Sequence, residues 1–372
     1  MNPGLVITDP GEEYACHRRR FQGIPGIERT PGGRLWAVWY AGGPDQDGEG
    51  PGNYVVAATS DDDGYHWSEP KLVIAPPGDL TRAFDPVLWL DPYDRLWLLW
   101  AQSQGLFDGR AGVWCIMTEE PDADHPKWTA PRRIGNGIMM NKPTVTADGE
   151  WLLPISVWSR GPGNDTPPHQ CHHLVDEIGS NVWVSIDQGR TFSRRGSADV
   201  PDRRIDEHMM VERLDRSLWM LVRTNYGIGE SVSKDGGRTW SAGGPSRIPH
   251  VTSRFFIRRL SSGKLLLVRH NPPGLAIGKP SNDRSHLTAY LSDDDGATWY
   301  GGLCIDERLG VSYPDGIQAP DGRIYITYDF SRKDNGQILL AVFTEADVAA
   351  GRPVSDQVRL RVLINQASFV EG

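Results

Sequence analysis

Cysteine is scarce in this chain, and its spacing argues against a disulfide framework. The 372 residues include four cysteines, Cys16, Cys115, Cys171 and Cys304, which are far apart and form no Cys-x-x-Cys pair. Such a distribution favours free thiols and a reducing compartment. We therefore expect a cytoplasmic protein, and secretion or a periplasmic location stays open because a leader can be lost in cloning.

Long apolar runs and an excess of positive charge are also missing. Residues 1–7 lack the charged segment and apolar run of a secretory signal, and no stretch is long enough to span a bilayer. The net charge is −9, whereas general nucleic-acid binding needs a basic surface. We expect neither a membrane nor a nucleic-acid partner. The arginines cluster locally, at 18–20, 203–204 and 258–259, which suits a pocket for an anionic small ligand.

Turn-forming and aromatic residues are plentiful, with 42 glycines, 28 prolines and 14 tryptophans. Four segments read Ser-x-Asp-x-Gly-x-x-(Trp/Phe), at residues 60–67, 185–192, 233–240 and 292–299. The first gap between them is about twice the others, and a degenerate copy beginning at Thr118 fills it. A repeat of this length predicts a radially repeated all-β fold, a six-bladed β-propeller.

The repeated segment, known as an Asp box, makes physical sense as a turn. Its Asp can accept hydrogen bonds from backbone N–H groups of the same loop. The Gly two residues later provides a positive φ without a Cβ clash, and the aromatic residue anchors the turn below the blade. We assign these residues to structure rather than to catalysis.

Between the turns, runs rich in aromatic and β-branched residues predict the strands. No low-complexity linker divides the chain, so a single propeller domain over residues 1–372 is expected. The run 338–342 is expected to pair with an N-terminal strand and close the ring, and residues 344–350 are expected to form a short helix.

The loop 160–176 is the clearest insertion and contains His169, Cys171, His172 and His173. These residue types can bind zinc, but their spacing matches no familiar site. An ordinary loop at the rim of a pocket is the favoured interpretation. No metal or other cofactor is expected.

The Asp boxes, the blade count and several intervening segments resemble the sialidase superfamily, from about Phe21 to Phe343. Sialidases hold a sugar carboxylate with three arginines and use a Tyr nucleophile polarised by a Glu, together with an Asp acid/base. The resemblance places Glu207 as the polarising Glu and Arg223 as the second arginine. Asp boxes alone are specific for the fold and not for function.

Two later segments resemble the remaining blades of the same family. The run 284–292 leads into an Asp box and makes Arg284 the third arginine. The run 311–316 makes Tyr313 the nucleophile. Asp329, at the end of the next strand, takes the position of the acid that braces the first arginine.

The sequence departs from the family at two positions. The family's first arginine lies in a Phe/Tyr-Arg-Ile-Pro motif, whereas residues 21–25 read Phe-Gln-Gly-Ile-Pro and leave Arg20 as a nearby substitute. The acid/base Asp is also absent, although the loop acids Asp45, Asp47 and Glu49 can reach in from the sequence before the first Asp box. Loss of a general acid lowers the reaction rate about 10²- to 10⁴-fold unless another group takes its role. His208, His286 and His17 are candidate replacements, and a different reaction is the alternative.

Asn141, Lys142 and Arg254 are expected at strand ends facing the propeller mouth, where they can contact substrate. Each candidate residue also has an ordinary structural role: strand-end arginines are often surface charges, and a buried Tyr usually bonds to backbone. The combination of residues carries more weight than any member.

The resemblance implies an enzyme that cleaves a terminal glycosidic bond in an acidic oligosaccharide or polysaccharide. Because the carboxylate clamp lacks one arginine, we expect a substrate other than sialic acid. Two alternatives stay open: a uronate lyase that cleaves by β-elimination, as between rhamnose and glucuronate, and a glycan-binding propeller without catalytic activity.

Overall fold

The described regular structure is almost entirely β, in six antiparallel sheets around a central axis, which confirms the predicted six-bladed β-propeller. The computed structural model describes residues 2–108, 110, 112–158 and 172–369. Each sheet consists of four strands that follow one another in the chain, and the first sheet has a fifth strand on its outer edge.

The blades have the following strands, from the axis outward. Blade 1 contains β2 (Phe21–Arg29), β3 (Leu35–Gly42), β4 (Tyr54–Ser60) and β5 (Leu72–Ala75), with β1 (Leu5–Ile7) outermost. Blade 2 contains β6 (Thr81–Leu90), β7 (Leu96–Gln104), β8 (Gly112–Thr118) and β9 (Arg132–Gly135). Blade 3 contains β10 (Thr144–Val145), β11 (Trp151–Val157), β12 (Gly179–Ser185) and β13 (Ser193–Ala198).

The second half of the ring repeats this pattern. Blade 4 contains β14 (Met209–Glu212), β15 (Leu218–Thr224), β16 (Gly227–Ser233) and β17 (Gly244–Pro245). Blade 5 contains β18 (Phe256–Arg259), β19 (Leu265–His270), β20 (Leu287–Ser292) and β21 (Tyr300–Asp306). Blade 6 contains β22 (Val311–Gln318), β23 (Ile324–Phe330), β24 (Gln337–Phe343) and β25 (Arg359–Gln366). The helices are α1 (Glu345–Ala350) and the short 3-10 helices Glu12–Tyr14, Cys16–Arg18 and His172–Glu177.

The hydrophobic core lies between neighbouring blades. Every residue of β3 is buried, as expected for a strand covered on both faces, which reads as a continuous apolar run. Trp89 of blade 2 and Trp151 of blade 3 meet edge to face, with ring centroids 4.7 Å apart. The tryptophan side chains therefore pack neighbouring blades against each other.

The four Asp boxes have the hydrogen bonds expected from their sequence. In the first, Ser60 Oγ donates to Asp62 Oδ1 (2.9 Å), and Asp62 Oδ1 accepts the His66 N–H (2.8 Å). Gly64 has a φ of 86° and donates its N–H to Ser60 Oγ (2.8 Å). The degenerate copy lies between β8 and β9, as expected, and Thr118 Oγ1 accepts the Glu120 N–H there (3.1 Å).

The Asp-box carboxylates predict a loss of stability in acid. Hydrogen bonds from the Thr191 hydroxyl and N–H lower the pKa of Asp187 to about 2. Because this pKa lies below the ordinary value of 3.8, the stabilisation is complete above about pH 4 and is lost as the pH falls towards 2. We expect Asp187→Asn to lose less unfolding free energy than the wild type over this window in denaturant titrations. The exposed control Asp356→Asn should match the wild type; an unchanged loss in Asp187→Asn would contradict the assignment.

The ring does not close in the expected way. The run 338–342 belongs to β24, which pairs with β23 and β25, so its predicted pairing with an N-terminal strand was wrong. Strand β1 pairs with β5 instead. Blade 6 already obtains four strands from its own sequence, and side chains join it to blade 1: Gln22 Nε2 donates to Gly336 O (2.7 Å), and Arg19 Nη1 donates to Asn365 Oδ1 (3.0 Å).

Helix α1 confirms the expected helix. Cys16, Cys115 and Cys304 are free thiols, whereas Cys171 lies outside the described residues. In the part of the chain that is described, no helix combines the length and apolar character needed to cross a bilayer.

One end of the propeller collects the polar loops, and we call it the mouth. Because the strands of a blade alternate in direction, the start of each inner strand and the loop between its second and third strands lie at the same end. The Asp boxes, between third and fourth strands, lie at the opposite end. The mouth is therefore where the candidate residues of different blades can meet.

Candidate active site

Unusual backbone geometry marks the inner strands near the mouth. Ile24, Asp85 and Tyr313 have positive φ values of 56°, 47° and 55°, and the strand register shifts around each of them. Glu207, just before β14, has a φ of 44°. Non-glycine residues rarely adopt such values, and those that do cluster at functional sites. Bulges of this kind re-aim a side chain at the end of a strand.

Three predicted residues meet in one hydrogen-bonded group, which we call the phenol triad: Tyr313, Glu207 and Arg223. Tyr313 Oη donates to Glu207 Oε1 (3.1 Å), and Arg223 Nη1 donates to the same oxygen (2.6 Å) and to Tyr313 Oη (3.3 Å). All three are at most 5% exposed. Burial, followed by the Glu207 charge, raises the pKa of the Tyr313 phenol. The phenol therefore carries its proton at neutral pH, with a carboxylate placed to receive it.

Two further arginines flank the Tyr313 ring. The guanidinium carbon of Arg284 lies 5.4 Å from the ring centroid, and that of Arg332 lies 5.1 Å from it. Arg284 lies in the β19–β20 loop, just before the strand on which the sequence placed it, and Arg332 in the β23–β24 loop was not predicted. The guanidinium groups of Arg223, Arg284 and Arg332 thus lie around Tyr313, and carboxylates accompany two of them.

Asp329, which was expected to brace the family's first arginine, lies beside Arg332. Its Oδ2 accepts the Ile24 N–H (2.8 Å) and lies 3.9 Å from Arg332 Nε, and its Oδ1 accepts the Ser312 hydroxyl (2.7 Å). The side chain is fully buried. Asp329 is therefore fixed by blades 1 and 6 and offers its charge to Arg332.

Glu49, from the β3–β4 loop, is the partly exposed carboxylate at the mouth. It pairs with Arg332 (2.7 Å) and lies 3.9 Å from Arg82, and one third of its side chain (33%) is exposed. Burial would raise its pKa, but the Arg332 and Arg82 charges hold the pKa of Glu49 below its usual value. Glu49 is thus ionised at neutral pH.

Asp85 contrasts with Glu49, since it is only 2% exposed. Burial raises its pKa to about 8, although Arg82 opposes the shift. The group therefore carries a proton at neutral pH. Two carboxyl groups of the same site, Glu49 and Asp85, are held in opposite protonation states by their surroundings, a pattern found where acid and base work is divided.

The raised pKa of Asp85 predicts a stability gain on its removal. Between its ordinary pKa of 3.8 and about 8, the folded chain holds a proton that the unfolded chain releases, so stability falls as the pH rises through this window. Asp85→Asn should therefore be more stable than the wild type at pH 8, with the difference shrinking towards pH 4. Urea unfolding at several pH values tests this, with the exposed Asp79→Asn as control; a variant less stable than the wild type at pH 8 would contradict it.

A second polar layer lies below this site and contains three residues that the sequence placed at the mouth. Lys142 Nζ donates to Ile27 O (2.6 Å) and Leu88 O (2.5 Å), and lies 3.2 Å from both Glu28 Oε2 and Asp315 Oδ2. Lys142 is 8% exposed. Its donors are occupied by protein acceptors, so it joins the blades rather than facing the mouth.

Asn141 and Arg254 belong to the same lower layer. Asn141 Nδ2 donates to Glu207 O (2.9 Å), and its Oδ1 accepts from Arg254 Nε (2.7 Å). Arg254 Nη2 also lies 3.5 Å from Asp315 Oδ1. These contacts support the loop that holds Glu207. Direct contact of Asn141, Lys142 or Arg254 with substrate stays a prediction.

The structure does not add Arg20 or His208 to the phenol triad. The Arg20 guanidinium lies 4.5 Å from the centroid of the Phe369 ring, where the C-terminal segment meets blade 1. His208 is buried and bonds through Nε2 to Asn181 O (2.8 Å), and burial lowers its pKa to about 4. It is therefore a neutral imidazole, unsuited to donate a proton at neutral pH.

His286 lies in the mouth loop two residues after Arg284. It is half-buried, has a φ of 49°, and its Nδ1 is 2.9 Å from the Ser285 hydroxyl. The possible metal loop lies largely outside the described residues, including His169 and Cys171. Within the described ranges, His, Cys, Asp and Glu side chains do not gather in threes where a metal ion could sit.

A cavity of about 490 Å³ opens at the mouth beside these groups. It is lined by Phe21, Glu49, Leu106, Ser331, Arg332, Lys333 and Asp334. Phe21 and Leu106 are apolar, and four charged side chains converge on the same cavity, where such groups can orient a small molecule. Its size fits a sugar unit, and Glu49 and Arg332 connect it to the phenol triad.

Sequence reasoning assigned no role to Arg332 or Arg82, and it placed Asp85 only among the polar residues at strand ends that could line the mouth. One signal was available: each bulged inner strand carries proline directly after the residue of positive φ. The pairs are Ile24-Pro25, Asp85-Pro86 and Tyr313-Pro314. The same dipeptide pattern that holds Tyr313 therefore also marks Asp85.

The fold and the site together define a six-bladed propeller that holds a buried, arginine-flanked tyrosine near a cavity at its mouth. The family described as BNR repeat-like domain matches residues 33–326, and the chain belongs to it. A search of curated proteins finds no match.

Solved structures with the same fold include sialidases. The Hadza microbial sialidase Hz136 has a TM-score of 0.68 and 17% identity, covering 90% of this chain and 69% of that chain. The intramolecular trans-sialidase from Ruminococcus gnavus, in complex with oseltamivir carboxylate, has a TM-score of 0.64 and 14% identity, covering 90% and 96%. A protein of unknown function from Dyadobacter fermentans is similar (TM-score 0.63, 15% identity, covering 90% and 95%). At these identities the likeness establishes the fold alone.

Proposed function

We propose that the protein is a glycosidase that releases a terminal carboxylated sugar from a glycan. The observation that carries the proposal is the phenol triad: the Tyr313 phenol bonds to the Glu207 carboxylate and lies among the guanidinium groups of Arg223, Arg284 and Arg332. Arginine is the side chain best suited to bind a carboxylate, because its planar fork matches both oxygens.

In the proposed first step, Tyr313 Oη attacks the anomeric carbon and the bond to the leaving oxygen breaks. The phenol proton passes to Glu207 Oε1, 3.1 Å away. Arg223 Nη1, 3.3 Å from the phenol oxygen, stabilises the negative charge that develops there. Water then releases the sugar from Tyr313, and the two displacements together retain the anomeric configuration.

A neutral nucleophile is suited to an anionic substrate. Most glycosidases attack the anomeric carbon with a carboxylate side chain. A substrate carboxylate next to that carbon would repel such a nucleophile. The Tyr313 phenol is protonated until Glu207 accepts its proton, so the approach of an anionic sugar meets no like charge at the attacking atom. This argument favours a sugar whose carboxylate lies close to the reacting carbon.

Glu49 is the proposed acid for the leaving oxygen and, in the second step, the base for water. Its position at the edge of the mouth cavity gives it access to both. Because Arg332 and Arg82 hold its pKa below the usual value, cleavage should be fastest at acidic pH and fall as the pH rises. Arg332 also restores the third cation, which removes the reason for excluding sialic acid.

One observation favours β-elimination as a second candidate. Glu49 is ionised at rest, so it can take a proton from a uronate whose carboxylate is neutralised by arginine. Asp85, protonated at neutral pH, would then be available as the acid. A lyase of this kind leaves an unsaturated sugar, whereas a hydrolase does not.

The two chemistries separate in one assay. The protein is incubated with sialosides and with uronate oligosaccharides, and both reducing ends and the ultraviolet absorbance of unsaturated uronates are followed. New reducing ends without absorbance support the proposed hydrolase, and both signals together support the lyase. Binding of an acidic sugar without any product would overturn both in favour of a glycan-binding propeller.

A further inference from the structure

Residue 23 leaves a space that another blade fills. In the segment 21–25, glycine occupies the position directly before Ile24-Pro25. A Cβ at Gly23 would overlap Arg332 Cδ, would lie 2.5 Å from Arg332 Cγ and would be 3.0 Å from Asp329 Oδ2. The backbone at Gly23 does not have a positive φ, so glycine is needed for space rather than for conformation.

We propose that Arg332 is the third substrate-carboxylate ligand of the site, supplied by blade 6, and that Gly23 in blade 1 positions it. This inference rests on the proposed function, because it assumes that an acidic sugar enters the mouth. Any side chain at residue 23 would displace the Arg332 stem. Gly23 and Arg332 therefore act as a pair where blade 1 meets blade 6.

The surroundings of Arg332 hold its guanidinium towards the mouth. Asp329, itself bonded to Ile24 N and Ser312 Oγ, lies behind Arg332 Nε, and the Tyr313 ring lies 5.1 Å from the guanidinium carbon. The side chain stays 21% exposed. A cation that is braced from behind and open in front is pre-organised for an incoming anion.

Glu49 is the internal competitor for this cation. Its carboxylate occupies Arg332 Nη1 at 2.7 Å, where a substrate carboxylate would bind. A substrate that takes Arg332 leaves Glu49 with less positive charge nearby, so Glu49 binds a proton more readily. Carboxylate binding should therefore be accompanied by proton uptake, which a purely structural Arg332–Glu49 pair would not produce.

The test is calorimetric titration with N-acetylneuraminic acid and D-glucuronic acid, each compared with its methyl ester. For the acid that binds, Arg332→Ala should weaken binding about 10- to 100-fold, the value of a charge-assisted contact, with little effect on the ester. Titrations in buffers of different ionisation enthalpy should show proton uptake in the wild type and not in Glu49→Gln. The exposed Arg352→Ala serves as the matched control and should behave as the wild type.

Gly23→Ala provides the second arm. It should weaken acid binding as Arg332→Ala does, and it should have no further effect in the Arg332→Ala background, because both changes remove the same contact. Circular dichroism checks that each variant folds. If Gly23→Ala does not fold, the test of the inference rests on Arg332→Ala and on Arg332→Lys, which keeps the positive charge but lacks the planar guanidinium group.

The outcomes are distinct. Binding of an acid that Arg332→Ala leaves within twofold of the wild type overturns the inference and leaves the proposed function intact. Failure of the wild type to bind either acid overturns the proposed function together with the inference. A loss in Arg332→Ala that is equal for acid and ester also overturns the inference, since it indicates a structural role.

Discussion

Replacing Tyr313 by Phe is expected to abolish nearly all turnover while leaving substrate affinity almost unchanged. Phe keeps the ring against Arg284 and Arg332 and removes only the hydroxyl that Glu207 and Arg223 contact. Loss of one member of a hydrogen-bonded nucleophile–base group costs on the order of 10⁴-fold in rate. Steady-state kinetics on the substrate found in the assay, with kcat and KM measured separately, gives the answer.

Tyr328→Phe is the matched control for Tyr313→Phe. Tyr328 is a buried tyrosine of the same blade, and its hydroxyl donates to Asp306 Oδ2 (3.1 Å), away from the phenol triad. Its loss should reduce stability by about 1 kcal/mol and leave kcat within twofold. If Tyr313→Phe keeps wild-type kcat, the phenol is not a reacting group and the proposed chemistry is wrong.

The fold could be predicted because its signals are local. An Asp box needs only eight consecutive residues, and all four copies form the expected turn because each Asp accepts hydrogen bonds from its own loop. The closure of the ring was predicted wrongly, since pairing of the last blade depends on which strand reaches the free edge. The sequences of the individual strands do not reveal whether β24 pairs with β25 or with a distant N-terminal strand.

The phenol triad could be predicted for a similar reason. Glu207, Arg223 and Tyr313 each lie in a segment whose neighbours resemble the corresponding blade of the family, so each could be identified separately. Their meeting follows from the propeller, which brings the starts of inner strands and the upper ends of second strands together. The hydrogen bonds between them, at 2.6 to 3.3 Å, are consistent with that expectation.

Arg332 and Glu49 could not be found in this way, because they come from loops. Arg332 follows Phe330-Ser331 in a segment that reads as an ordinary surface turn, and its function depends on Gly23, more than 300 residues earlier in the chain. Glu49 was noted only as one of three loop acids within reach, and its pairing with Arg332 exists only once blades 1 and 6 are adjacent. Local sequence patterns do not predict contacts between blades 1 and 6, whose residues are far apart in the chain.

The level that a side chain occupies along the propeller axis could not be predicted from the sequence either. Lys142 precedes a strand, as do residues that face the mouth, yet its ammonium group lies in the lower layer between Glu28 and Asp315. A strand register reveals which way a side chain points and not which level of the central channel it reaches. The depth of Lys142 matters, because it changes what a substitution there should do.

Replacing Lys142 by Met is expected to cost about 3–5 kcal/mol of unfolding free energy, the penalty for breaking a buried charge group by removing one partner. Two buried carboxylates, Glu28 and Asp315, would lose their shared cation, and two backbone carbonyls would lose a donor. Met keeps the length of the stem, so cavity formation contributes little. Urea unfolding followed by circular dichroism measures the loss.

Lys264→Met is the matched control, because its 3.2 Å pair with Glu345 lies at the surface with 34% of the lysine exposed, where such pairs contribute about 0–1 kcal/mol. If Lys142 instead served as a substrate ligand, Lys142→Met would fold with nearly wild-type stability and lose affinity for the acidic sugar. The buried network predicts the reverse order of effects. A stability within about 1 kcal/mol of the wild type would therefore return Lys142 to the mouth and contradict its place as the tie between blades 1, 2, 3 and 6.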